Sequence, residues 1–176
     1  VCALPLYHIF AFTVNMMRSM HIGGKNSLIP NPRDLKATLK ELSKQRFHTF
    51  PAVNTLFNGL AHHPDFDSVD WSHLKVSVGG GMAVQSAVAK LWLEKTGCPI
   101  CEGYGLSETS PIVSCNPVTG KAFTGTIGLP VPSTDVILVD DDGFAVHGQS
   151  GEIAVKGPQV MAGYWQRPDE TARVMT

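Results

Sequence analysis

The sequence lacks a long apolar run and an excess of charge of either sign. No hydrophobic stretch approaches the roughly 20 residues that cross a bilayer, and no charged and then apolar signal segment opens the chain. Fourteen Lys and Arg nearly balance fifteen Asp and Glu, for a net charge of -1, which argues against a nucleic-acid-binding protein. With 43% hydrophobic residues, the chain is not a disordered tail. These features favour a soluble cytoplasmic protein that binds no nucleic acid.

Cysteine is scarce, with four residues in the chain. Cys98 and Cys101 have the CxxC spacing of a redox pair or half a metal site, but no second CxxC or HxxxH pair completes a zinc site. Their neighbours are apolar, which favours buried structural thiols. Cys2 and Cys115 are likewise expected in the core of a protein from a reducing compartment.

Familiar nucleotide and calcium signatures are also missing. The sequence has neither GxGxxG nor GxxxxGK[ST], which disfavours a nicotinamide-dependent dehydrogenase. Asp140–Gly143 lacks the twelve-residue EF-hand pattern and therefore predicts a hairpin turn. Gly79, Gly80 and Gly81 follow the predicted strand Leu74–Val78 and precede a predicted helix. This turn would let a ligand approach the backbone, but alone it is a weak signal.

The segment Glu102–Pro111 is the best candidate for chemistry, since it places two glycines, an aromatic ring, hydroxyls and carboxylates between two apolar runs. Tyr104 offers a flat face for a heterocycle. Ser107 and Glu108 offer oxygen ligands for Mg²⁺ or polar contacts to phosphate. The segment predicts a nucleotide site, and the alternative is an ordinary polar loop after a buried strand.

The hydrophobic pattern predicts alternating strands and helices, then a β-rich region. The expected elements are a strand at Val1–Leu4, a buried helix at Phe10–Met20, a short strand in Asn26–Pro30, a helix after Asn31–Asp34, a strand at Phe47–Phe50, a helix opened by Pro51, a helix from about Ala83 to Lys95 and a strand at Pro99–Glu102 whose C-terminal turn is the motif. We therefore predict two parts, 1–115 and 116–176. Since the chain starts with Val1 inside a predicted strand, we expect an internal piece of a longer protein.

Three separated stretches carry a family resemblance: Leu4–Phe10, Glu102–Pro111 and Gly151–Trp165. In order and spacing they resemble the core motifs of the acyl-adenylate-forming, or AMP-binding, enzymes. Gly128–Thr134 and Gly157–Asp169 are most similar to bacterial long-chain fatty acid CoA ligases. The resemblance implies an α/β fold: a mostly parallel sheet with flanking helices, followed by an antiparallel β-rich subdomain.

The resemblance also implies an activity. Such enzymes use ATP and Mg²⁺ to convert a fatty carboxylate into an acyl adenylate, and pass the acyl group to the thiol of coenzyme A. By resemblance, Tyr104 stacks on the adenine, and the backbone from Glu102 through Gly103 to Gly105 contacts its edge. Ser107, where the family commonly has Thr, contacts phosphate, and Glu108 coordinates Mg²⁺.

Two further site elements follow from the same resemblance. His8 matches a position near the carboxylate and the thiol-entry tunnel, so that His8, Ser107 and Glu108 form the predicted catalytic set. Gly79, Gly80 and Gly81 would pass between the adenine and the acyl chain. The family's phosphate loop should precede Val1, and its ribose-binding aspartate, hinge and adenylation lysine should follow Thr176. We therefore expect the isolated chain to be inert.

Other readings stay open. The same scaffold serves fatty acyl-AMP ligases, aryl- and short-chain acyl-CoA ligases and peptide-synthetase adenylation domains, while a non-catalytic binding module is an alternative of another class. Chain-length preference and oligomeric state do not follow from the sequence. Because a fatty acid partitions into lipid, the longer protein could associate peripherally with the inner face of the membrane, although no anchor is present.

Overall fold

A computed structural model describes residues 1–175 as an α/β chain with two sheets. Its strands are β1 Thr49–Ala52, β2 Val76–Gly79, β3 Ile100–Gly105, β4 Ile112–Cys115, β5 Leu129–Pro130, β6 Asp135–Val139, β7 Ala145–Val146 and β8 Glu152–Lys156. Its α-helices are α1 Ile9–Ala11, α2 Arg18–His21, α3 Leu35–Leu42, α4 Asn54–Ala61, α5 Ser86–Thr96 and α6 Pro168–Val174. A π-helix, Phe12–Met17, joins α1 to α2, and 3-10 turns lie at Pro64–Ser68, Trp71–His73 and Ser107–Thr109.

The first sheet has the order β1-β2-β3-β4-β5 and confirms the predicted α/β architecture. Strands β1, β2 and β3 are parallel, with α4 and α5 in the two connections. Strand β3 then pairs antiparallel with β4, and β4 with β5. Because Gly79 at the end of β2 pairs with Glu102, β3 continues three residues further, to Gly105. The candidate motif therefore begins inside the sheet.

An aromatic cluster forms the core beside this sheet. Trp92 of α5 stacks on Phe50 at a ring separation of 5.8 Å and meets Phe57 of α4 edge-on at 4.8 Å. Its indole N–H donates to Ser77 Oγ of β2 across 2.9 Å. All three rings are fully buried. This cluster fixes α4, α5 and β2, and thereby the edge of the sheet where the strands end.

The second sheet, β7-β6-β8, is antiparallel throughout and confirms the β-rich C-terminal region. The predicted hairpin turn is present, since Gly143 N–H donates to Asp140 O and Gly143 has φ +83°. The first sheet extends to β5 at Leu129–Pro130, and the second begins at Asp135. The division after residue 115 stays a prediction.

Two predictions for the N-terminal region were wrong in part. The strand expected at Val1–Leu4 is a single parallel bridge between Cys2 and Leu28. The helix expected at Phe10–Met20 exists, but of its residues only Ala11 and Asn15 are buried, while Met20 is 70% exposed. Among the described residues, Phe12, Met17 and Met20 are exposed apolar side chains of this segment.

Two boundaries also differ from prediction. Pro51 lies inside β1, and the helix that it was expected to open begins at Asn54. Since β1 is an edge strand of the described sheet, a residue without an N–H donor is tolerated there. Strand β3 runs past Glu102 because its second half gains antiparallel partners in β4. The sequence of a single strand does not reveal that partner.

The four cysteines are free thiols. Cys2, Cys98 and Cys101 are buried, as predicted, and Cys115 is half-buried. Within residues 1–175, no helix is long and apolar enough to cross a membrane.

Candidate active site

A cavity of about 170 Å³ lies where β2 and β3 end. Its walls include His8, the turn Gly79–Gly81, Tyr104 and Ser107, together with the apolar side chains Ile9, Phe10, Val14, Leu106 and Ile112. The carboxyl ends of parallel strands are the usual ligand edge of an α/β sheet. The fold therefore brings together three segments that are separated by up to about a hundred residues in the sequence.

The loop between β3 and β4 is held against its own chain. A register irregularity falls between Tyr104 and Gly105, and a Cβ on Gly105 would overlap the carbonyl of Pro111. Only glycine fits this crossing. The buried Thr109 hydroxyl donates to Pro111 O across 2.7 Å and accepts from Leu106 N–H across 3.0 Å. These contacts fix the turn that presents Ser107 and Glu108.

Tyr104 and Ser107 both reach the cavity. Tyr104 is half-buried near the end of β3, where it pairs with Ser114 of β4. Ser107 is exposed and begins the 3-10 turn Ser107–Thr109. An aromatic ring and an exposed hydroxyl on one wall could contact a base and a phosphate, respectively.

Glu108 points toward the C-terminal region and is not a wall of this cavity. The Tyr164 hydroxyl donates to Glu108 Oε1 across 2.7 Å, and Met161 N–H donates to Glu108 O across 2.8 Å. The bond from Tyr164 lowers the pKa of the Glu108 carboxyl below its ordinary value. It also raises the pKa of the Tyr164 phenol. The carboxylate is thus kept ionised and oriented.

The residues around Glu108 could hold a magnesium ion only together with substrate phosphates and water. Among residues 1–175, no group of three or more His, Cys, Asp and Glu side chains could hold a metal ion. Magnesium is commonly held by one or two carboxylates with substrate phosphates and water. Glu108 supplies one such carboxylate, whose Oε1 atom accepts the bond from Tyr164.

The backbone of Glu102 was predicted to border the nucleotide, which stays a prediction, and the Glu102 side chain contacts the backbone of Val84. It is buried, and Oε1 accepts the Val84 N–H across 2.8 Å. Val84 follows the glycine turn Gly79–Gly81, so this bond ties the turn to β3. The backbone carbonyl of Glu102 accepts the Asn116 N–H. The contacts of Glu102 support the walls of the cavity.

The glycine turn is constrained by the protein itself. A Cβ on Gly79 would come within 2.5 Å of Val84 Cγ2 and 2.9 Å of Ile100 Cγ2. A Cβ on Gly80 would lie 3.0 Å from the ring of Phe10. Packing therefore accounts for Gly79 and Gly80 without a ligand, although Gly79, Gly80 and Gly81 also line the cavity.

His8 lies at the mouth of the cavity and caps the helical segment that follows. Its Nδ1 accepts the Phe10 N–H across 3.2 Å, which leaves Nε2 for another partner. The side chain is exposed. A capping role and a contact with substrate are compatible because they use different ring nitrogens.

Cys101 and Cys115 face each other across β3 and β4, with the sulfur atoms 3.6 Å apart. The contact with Cys101 lowers the pKa of the Cys115 thiol to about 7. The same contact, and burial after it, raise the pKa of the Cys101 thiol. The close pair is thus not the CxxC pair that the spacing suggested.

Three features were not predicted from the sequence. They are the contact of Tyr164 with Glu108, the hydrogen bonds of the Thr109 hydroxyl and the position of Phe10 in the cavity wall. Tyr164 lies in the stretch Gly151–Trp165, and nothing local to it signals a contact with a residue 56 positions earlier. Thr109 could have been found, because a hydroxyl residue between a turn and a proline commonly bonds the backbone. The proposed roles of the predicted site residues stay predictions.

Residues 1–165 match the family described as AMP-binding enzyme. The chain therefore belongs to the AMP-binding enzyme family.

Among curated relatives, the chain is 56% identical to a long-chain-fatty-acid–CoA ligase of Yersinia pestis over 99% of its length. It is 39% identical to a protein of the same name from Bacillus subtilis over 98%. It is 34% identical to a feruloyl-CoA synthase of an Amycolatopsis species. The chain spans about a third of these relatives, 31% of the first two and 35% of the third.

Solved structures share the fold. The anthranilate CoA ligase AuaEII, solved in complex with anthranoyl-AMP, superposes with a TM-score of 0.89 at 25% identity, covering 96% of this chain and 33% of that one. ATP-bound MatB from Rhodopseudomonas palustris superposes with a TM-score of 0.86 at 27% identity, covering 98% of this chain and 34% of that one.

Proposed function

We propose that this chain is the adenine- and acyl-binding segment of an ATP-dependent long-chain fatty acid CoA ligase. The observation that carries the proposal is the cavity at the ends of β2 and β3, where His8, the glycine turn, Tyr104 and Ser107 converge. The identity with ligases of that name over nearly the whole chain supports the choice of substrate class.

The chemical difficulty is electrostatic. A fatty carboxylate must attack the α-phosphate of ATP, so that two anions meet and pyrophosphate leaves in line. A site for this reaction has to fix the adenine, offset phosphate charge and admit an apolar tail.

Tyr104 and the glycine turn would hold the base. The ring of Tyr104 forms one wall of the cavity, and the backbone of Gly80 and Gly81 forms another. A flat base between a ring and a glycine backbone gains stacking and dispersion contacts without meeting a side chain. The backbone at Gly103 and Gly105 would border the base edge.

Ser107 and Glu108 would act on the phosphates. The exposed Ser107 hydroxyl can donate to a phosphate oxygen, and Glu108 offers one ionised carboxylate. Bound Mg²⁺ would offset charge on the phosphates and the leaving pyrophosphate. Tyr164 keeps Glu108 in one orientation, which reduces the reorganisation that binding requires.

His8 would meet the acyl carboxylate at the apolar end of the cavity, beside Ile9 and Phe10. The same position would lie near the path of the coenzyme A thiol in the second step. Long-chain fatty acid, ATP and coenzyme A are therefore the proposed substrates. We place the enzyme in the cytoplasm, with peripheral contact at the inner face of the membrane where its substrate partitions.

A hybrid enzyme tests the proposal. This chain would replace the matching segment of the Escherichia coli ligase to which it is 53% identical over 176 residues. ATP–pyrophosphate exchange would be measured with saturated acids of graded length and with an aryl acid. We expect exchange with long-chain acids, and its loss in the Glu108→Ala hybrid.

The controls separate the alternatives. Exchange only with the aryl acid would favour an aryl-CoA ligase, and transfer to a carrier protein in place of coenzyme A would favour an acyl-AMP ligase. A folded hybrid without exchange on any acid would contradict the proposal. The unmodified Escherichia coli enzyme sets the reference rate.

A further inference from the structure

Cys101 and Cys115 form a thiol pair, of which Cys115 lies at the wall of the cavity. They lie on the antiparallel strands β3 and β4, on the same face, since Cys115 is paired with Gly103 and Cys101 is two residues earlier. Their sulfur atoms are 3.6 Å apart. We propose that Cys115 and Cys101 are a modification site for low-molecular-weight disulfides, with Cys115 as the attacking thiol and Cys101 as the resolving thiol.

Access decides the order of attack. Cys115 is half-buried and lines the cavity at the ends of β2 and β3. Cys101 is buried, and its sulfur lies 2.8 Å from Asn116 O. A small disulfide that enters the cavity therefore meets Cys115 first.

The electronic setting supports the same order. The single S–H of Cys101 can turn from Asn116 O to the Cys115 sulfur, and that contact favours the Cys115 thiolate. The thiolate is the attacking species in disulfide exchange.

The chemistry balances in two steps. The Cys115 thiolate attacks one sulfur of the disulfide RSSR, so that a Cys115–S–SR bond forms and RS⁻ leaves. Cys101 then gives its proton to the released RS⁻ and attacks the Cys115 sulfur, forming Cys101–Cys115 and expelling the second RS⁻. The two cysteines lose two electrons in total, and RSSR gains them as it becomes two thiols.

The geometry allows closure. The sulfurs need to approach from 3.6 Å to about 2.05 Å, which rotation about the Cys side chains and a small strand adjustment can provide. Cys98 has no comparable partner among residues 1–175, since its sulfur faces Ser77 Oγ at 3.5 Å. Cys2 faces the carbonyl of Leu4.

Modification should change the cavity. Cys115 lies over Gly103, where a Cβ would be 3.7 Å from its sulfur, and both residues are walls of the cavity. A mixed disulfide at Cys115 adds bulk at this wall, whereas the closed Cys101–Cys115 bridge removes it. The second thiol thus clears the cavity after the first has reacted.

The experiment uses this chain with oxidised glutathione, followed by acid trapping, thiol counting and peptide mass mapping. We expect the four free thiols to fall to two, with a Cys101–Cys115 bridge and no retained glutathione. The Cys101→Ser variant should retain glutathione on Cys115, and the Cys115→Ser variant should keep its remaining three thiols.

Cys98→Ser is the matched control and should still form the bridge. Circular dichroism is recorded for each variant, and the alanine variant at the same position replaces any serine variant that does not fold. Reaction at Cys2 or Cys98 before Cys115, or four unreacted thiols in the folded protein, would overturn the proposal. Retained glutathione on Cys115 in the unsubstituted chain would overturn the resolving role of Cys101.

Discussion

The side-chain hydroxyl of Thr109 is the smallest group on which the motif loop depends. It is buried, donates to Pro111 O and accepts from Leu106 N–H. Thr109→Val keeps the shape and removes both bonds, while Leu106 N–H and Pro111 O stay bonded to each other. We therefore expect the free energy of unfolding to fall by about 0.5–1.5 kcal/mol, measured by urea denaturation.

Thr38 provides the matched control. It is fully buried in α3, and its hydroxyl has no hydrogen-bond partner among the described residues. Thr38→Val should therefore be neutral or stabilising. Equal losses in the Thr109 and Thr38 variants would mean that the Thr109 hydroxyl does not hold the loop.

Tyr164 extends the site beyond the motif. Its hydroxyl orients Glu108, so that Tyr164→Phe in the hybrid enzyme should raise the Mg²⁺ concentration needed for half-maximal exchange several-fold. The KM for the fatty acid should stay the same. Direct titration with Mn²⁺ in the presence of ATP, followed by water-proton relaxation, gives a readout independent of turnover.

Tyr7→Phe is the control for this change, because Tyr7 is 93% exposed. Glu108→Gln should weaken Mn²⁺ binding in the presence of ATP more than Tyr164→Phe does. If Glu108→Gln has a strong effect but Tyr164→Phe leaves the Mg²⁺ requirement unchanged, Glu108 is a metal ligand. Tyr164 is then not needed to orient Glu108.

At the scale of elements, Trp92 joins α5 to the sheet. Trp92→Phe retains most of the ring packing but removes the indole donor to buried Ser77 Oγ. We expect a loss of about 1–3 kcal/mol in unfolding free energy. Trp165→Phe, at an 87% exposed site, should change stability little. A similar loss for both would show that the bond to Ser77 is not the cause.

Elements with a strong local pattern could be predicted from the sequence. Leu39 and Leu42 recur at helical spacing and are fully buried in α3, whose Asp34 side chain caps Ala37 N–H. Val76–Gly79 and Asp135–Val139 are strands because branched residues suit pleated surfaces. Pro51 was wrongly predicted to open a helix. A proline is tolerated in an edge strand, and only the assembled sheet shows that β1 is an edge strand.

In the site, too, features set by the local sequence could be predicted, whereas features set by distant segments could not. Tyr104, Ser107 and the glycine turn could be predicted to lie at one edge of the sheet, where they line the cavity, because glycines and polar groups follow strand ends. The buried direction of Glu102 and the contact of Tyr164 with Glu108 could not, because both depend on segments far away in the sequence. Long-range hydrogen bonds leave no local periodicity.

At the scale of the whole molecule, this chain spans about a third of its curated relatives. Its sequence contains no glycine- and hydroxyl-rich phosphate loop and no adenylation lysine that matches the family. We expect the chain alone to give no ATP–pyrophosphate exchange with a long-chain acid, at any chain concentration. Robust exchange by the isolated chain would show that it holds a complete catalytic set.

We propose that the cavity at the ends of β2 and β3 holds the adenine. A crystal structure of the hybrid enzyme with a non-hydrolysable acyl-adenylate analogue tests it most directly. The predicted result is the adenine between the ring of Tyr104 and the backbone of Gly80 and Gly81, with a ring separation within about 4.5–7 Å. An adenine bound elsewhere, with Tyr104 outside stacking distance, would contradict the account.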